Sequence, residues 1–110
     1  MIKDTISHIE KSIRKSSTLS KKQKNEFLHQ IGNLRKEISV LSKTNPEQAQ
    51  SIAGFTQVSM HEAIRGEKNP ELAQLSFKGL EESVRRFEVS HPQLVAAIDK
   101  IMDMLVAIGI

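Results

Sequence analysis

Apolar residues at alternating steps of four and three constrain this chain more than any other feature. Phe27, Ile31, Leu34, Ile38 and Leu41 keep that rhythm, and Leu94, Ile98, Ile101, Leu105 and Ile108 repeat it. The spacing brings each residue back to one side of an α-helix and does not fit the period-two alternation of a strand. Ile2, Ile6, Ile9 and Ile13 make a shorter stripe of the same kind. Two more segments carry broader faces. One is Ala49, Ile52, Ala53, Phe55, Met60, Ala63 and Ile64; the other is Leu72, Ala73, Leu75, Phe77, Leu80, Val84 and Phe87.

Helix-start signals separate these segments. Ser20 stands three residues before Gln23, the spacing of a capping box. Asn45-Pro46 with Gln48, and Asn69-Pro70, place a capping side chain before a proline in a first turn that needs no N–H partner. Ser90-His91-Pro92-Gln93 reads the same way, with Ser90 as the cap and a hydrophobic staple between Val89 and Leu94. Gly66 is placed to end the third helix, and Gly109-Ile110 to close the last in a Schellman turn with Ile110 against Leu105.

About five helices with short connections make this an all-α chain. They form an up-and-down helical bundle or paired helical hairpins in a single domain, 1–110. Seams two positions wide are narrower than a fully buried helix face, so a second copy is expected to complete them, a homodimer being favoured. Gly32, Gly54 and Gly79 fall inside helical patterns, where each costs about 1 kcal/mol relative to alanine, so each calls for a packing reason or a bend.

Charge is unevenly spread along the chain. Residues 1–44 carry a net +6 and residues 45–110 a net −3. Lys11, Arg14, Lys15, Lys21, Lys22 and Lys24 fall within fourteen residues that contain no acid. Such a block suits phosphates, an anionic surface or the acidic half of another chain. Nucleic-acid binding is the alternative function it supports. The chain has no Trp and no Tyr to stack on bases, however, and no recognisable reading module. The most apolar stretch, 94–110, includes Asp99, Lys100 and Asp103, which argues against a membrane span. With no cysteine and a polar beginning, the protein is expected to be soluble and cytoplasmic.

Candidate chemistry is sparse. His8, His29, His61 and His91 include no pair one helical turn apart, and His61-Glu62-Ala63-Ile64-Arg65 lacks the second histidine of a zinc-protease helix. Ser90 and His91 are adjacent at a helix start, where their side chains should diverge, and triads are assembled from separate elements. Asp99 and Asp103 share the polar face of the last helix. No metal, cofactor or catalytic residue is expected, and the chain reads as a non-enzyme.

The segment Phe87-Glu88-x-Ser90-His91-Pro92-x-Leu94, continued by heptad-spaced apolar residues to Gly109-Ile110, resembles the C-terminal signature of a family of short bacterial proteins classed as a domain of unknown function. Residues 19–28 and 45–72 are similar to longer members. The resemblance implies a small helical protein with no assigned activity, cofactor or partner. Glu88 and His91 are not required by capping, so they are candidates for a contact within a dimer or with a protein partner. The resulting expectation is a helical interaction or scaffold protein that self-associates.

Overall fold

The computed structural model describes residues 2–110 and contains five helices: α1 (Ile2–Lys15), α2 (Lys21–Ser42), α3 (Pro46–Ile64), α4 (Pro70–Arg85) and α5 (Pro92–Ala107). They alternate in direction, as short connections between bundled helices require, and no strand occurs among the described residues. Contacts across the bundle fix its order. Arg35 of α2 reaches Glu10 of α1, Gln50 of α3 donates to Thr5 Oγ1, and Thr18 Oγ1 donates to the Ile64 carbonyl at 2.7 Å. One layer holds α1, α3 and α4 with α3 in the middle, and α2 and α5 form the other.

The seams are consumed inside the chain. Ile31, Leu34, Ile38, Leu41, Leu94, Ile98, Ile101 and Leu105 are all 0% exposed. The radius of gyration, 12.9 Å, equals the roughly 13 Å expected for one folded chain of this length. A second copy is therefore not needed to complete the seams: α2 and α5 complete each other's.

The middle helix explains its weak apolar pattern. α3 touches all four other helices, and it does so through small side chains: Ala49, Ala53, Thr56, Ser59 and Ala63 are buried. Small residues let backbones approach closely, so the face reads as ill-defined in sequence. Thr56 Oγ1 returns its proton to the Ile52 carbonyl at 2.7 Å, which lets a hydroxyl sit in the core. Phe55 on this helix and Leu72 and Leu75 on α4, expected inside, are instead 40%, 44% and 67% exposed.

Caps follow the sequence in three places and depart from it in three. Ser20 and Gln23 form the reciprocal box at 2.8 and 3.1 Å, and Asn69 Oδ1 accepts from the Leu72 N–H. Asn45 precedes α3 without a side-chain cap, because its Oδ1 accepts from the Thr44 hydroxyl instead. Gly66 does not end α3 in a left-handed turn; Arg65 turns to extended backbone at φ −65°, ψ 149°. The N-cap of α5 is His91, not Ser90. Turns continuing from α4 run through Ser90, and Pro92 disfavours helical geometry only in the residue before it. That path leaves Val89 94% exposed, so no staple forms with Leu94. At the other end of α5, Gly109 at φ 107° makes the Schellman turn, with the Ile110 N–H on the Leu105 carbonyl and the Gly109 N–H on Val106.

Candidate functional site

Three surface features compete as the functional site. The first is the basic corner between α1 and α2. Lys11, Arg14, Lys15, Lys21 and Lys22 are exposed there and have no ion-pair partner among the described residues. Lys24 is different: half-buried, its Nζ donates to the Arg14 carbonyl at 3.1 Å and so closes the C-terminal end of α1. Buried Leu19 and the Thr18–Ile64 bond hold the corner on the bundle. A positive surface fixed in this way attracts anions without selecting among them.

The second feature is the turn from α4 to α5. Contrary to the expected divergence, Ser90 Oγ lies 2.9 Å from His91 Nδ1. The His91 ring stands edge-on to buried Phe87, with centroids 5.6 Å apart, and the Arg86 guanidinium lies over the Phe87 ring, 5.4 Å from its centroid. His91 thus has a local structural task, which sequence reasoning missed because the bond depends on the path of the turn. No carboxylate orients the imidazole, and Ser90 is exposed, so the pair lacks the third group and the shelter of a nucleophilic site. Glu88 is exposed beside Val89 and has no ion-pair partner among the described residues. The turn lies at the end of α4, about 24 Å from its start beside the basic corner, so the two regions are not brought together.

The third feature is the outer face of the α3–α4 hairpin, which sequence reasoning assigned to the core. Seven large apolar side chains are exposed in the described chain, and four of them, Phe55, Val58, Leu72 and Leu75, belong to this hairpin. Phe55 lies over Gly79, where an added Cβ would stand 2.6 Å from its Cδ1 atom. The glycine therefore makes room for a phenyl ring laid between the helices. Gly32 and Gly54 have nothing within 4 Å of an added Cβ, so close packing does not explain them.

Two hollows adjoin each other beside α2 and α5, with polar residues in the majority of their linings. One of about 440 Å³ lies between α2 and α5 and is lined by His29, Gln30, Asn33, Lys36 and Gln93 among others; a neighbour of about 520 Å³ shares His29, Gln30 and Lys100. Cations and acids alternate around both, which suits water better than one sign of ligand. His8 and His61 meet at a smaller hollow between α1 and α3. Among the described residues no three His, Asp or Glu side chains gather so as to hold a metal ion, and no helix is long and apolar enough to cross a membrane. The buried Glu62 carboxylate is engaged by Arg65 at 2.9 Å.

Fold and surfaces together define a small all-α bundle with a basic corner and an exposed apolar hairpin face. The chain belongs to the family described as Domain of unknown function (DUF4404), whose model matches residues 27–110. The match takes in the α3–α4 hairpin and the whole segment 86–110. It begins after the basic corner, and so covers less of the chain than the wider resemblance implied. Neither the curated proteins nor the solved structures gave a match.

Proposed function

We propose that this protein is a non-enzymatic helical interaction module of a bacterial cytoplasm that works by self-association and, through it, by gathering protein partners. The observation that carries the reading is the clustering of Phe55, Val58, Leu72 and Leu75 on one hairpin of an otherwise filled bundle. Large apolar side chains grouped on a surface mark contact sites far more often than single ones do. The hairpin also lies inside the family-matched residues. Glu88 and Val89 at the α4–α5 turn offer a second contact point for a partner.

The test is mass measurement on a sizing column from low to high protein concentration, at low and high salt. Mass rising above 12.4 kDa with concentration and persisting in high salt supports association through apolar contact. A constant 12.4 kDa at all concentrations sinks the reading.

The basic corner favours a second reading, contact with nucleic acid through Lys11, Arg14, Lys15, Lys21 and Lys22, with Lys24 committed to α1. Lacking Trp, Tyr and Cys, the chain is almost silent at 280 nm. Co-eluting nucleic acid would thus show as a strong band near 260 nm that leaves at high salt. A silent spectrum at low salt would remove that alternative.

A further inference from the structure

We infer that the α3–α4 face pairs with a second copy of itself about a two-fold axis that crosses α4 at Leu75. The inference rests on the self-association reading above and names its surface and geometry.

The sequence of α4 is complementary to its own reverse around Leu75. On a helical wheel Glu71, Leu72, Lys78, Gly79 and Glu82 all fall within about 60° of Leu75. Gly79 and Leu72 lie on the side toward α3, since Gly79 is the position beneath Phe55; Glu71 and Lys78 lie on the far side. A two-fold axis across the helix makes the two α4 helices antiparallel and keeps each residue on its own side. A residue three or four positions before Leu75 then meets one three or four positions after it, within about 1.5 Å of helical rise.

Three consequences follow from that operation. Leu75, 67% exposed, meets Leu75 of the second copy. Leu72 comes over the Phe55 ring that covers Gly79 of the second copy, an apolar contact beside the Leu75 pair. Glu71 comes opposite Lys78 of the second copy, twice per dimer. Both residues are exposed, and neither has an ion-pair partner in its own chain among the described residues. An apolar centre with opposite charges at its rim is the anatomy of a specific interface, and an isologous contact requires such self-complementarity.

The size of the face bounds the contact it can make. Sixteen residues of α4 span about 24 Å, and two adjacent helices are about 18 Å wide, which places the contact at the low end of specific interfaces. A reversible dimer, with dissociation on the order of micromolar, is the expected behaviour.

Sedimentation of the full chain across concentration, at low salt, tests the geometry with Leu75→Glu, Glu71→Lys, Lys78→Glu and the double exchange Glu71→Lys/Lys78→Glu. Circular dichroism checks that each variant folds. Leu75→Glu should stay monomeric at every concentration. Each single exchange opposes like charges twice per dimer and should weaken association roughly tenfold, and the double exchange should restore it. Wild-type association that survives Leu75→Glu, or a double exchange no better than the singles, overturns this face while leaving self-association standing. A wild-type chain that never exceeds monomer mass overturns both.

Discussion

Gly79 and Gly54 stand inside the two helices of one hairpin, yet an added methyl group meets opposite surroundings at each. At Gly54 it enters open space, so Gly54→Ala should raise stability by up to about 1 kcal/mol in urea denaturation through helix propensity alone. At Gly79 it strikes the Phe55 ring, which must swing off the groove. Gly79→Ala should therefore be neutral or destabilising in the wild type and stabilising by about 1 kcal/mol in a Phe55→Ala background. A double-mutant cycle reads the difference as coupling between the two sites. Arg65 and Glu62 give a third contrast. Glu62 is 5% exposed, and Arg65→Met leaves its carboxylate buried without its cation, at a cost of about 2 kcal/mol. Adding Glu62→Gln should recover part of that loss, as chemical denaturation would show.

At the scale of elements, two serines with the same place in the sequence grammar do different work. Ser20 accepts from the Gln23 N–H and belongs to a closed capping box, so Ser20→Ala should cost about 1 kcal/mol. Ser90 caps nothing. Its hydroxyl pairs with the His91 ring on an exposed turn, and Ser90→Ala should cost less than about 0.5 kcal/mol. Thermal melts of the two variants would order them, and equal losses would mean that Ser90 caps α5 after all. All three prolines and both seams were legible in sequence, because fixed φ and a 4-3-4-3 rhythm are local properties. The cap of α5 was not, since turns carried over from α4 reach through Ser90 and shift the start by one residue.

For the molecule as a whole, the uneven charge of the sequence becomes a spatial division. Five exposed cations, Lys11, Arg14, Lys15, Lys21 and Lys22, collect at the α1–α2 corner, and the apolar patch lies on the α3–α4 face. If association runs through that face, neutralising Lys21 and Lys22 should leave dimer mass unchanged at any salt, while removing most retention on an anionic resin. Loss of dimer on that substitution would place the corner in the interface instead.

By itself the sequence determined five helices, their boundaries to within a residue or two, their alternating direction and the Schellman close at Gly109. Each depends on residues close together in the chain, through backbone geometry and one-sided apolar spacing. Only the tertiary structure decided which apolar residues are core. The seam residues of α2 and α5 are buried against one another, whereas Phe55, Leu72 and Leu75, equally apolar, fall outside. The physical reason is α3. As the middle helix of its layer it packs on four neighbours through alanine, serine and threonine. Beside Ile52, Met60 and Leu80, which fill the core, Phe55, Leu72 and Leu75 are left at the rim of the hairpin.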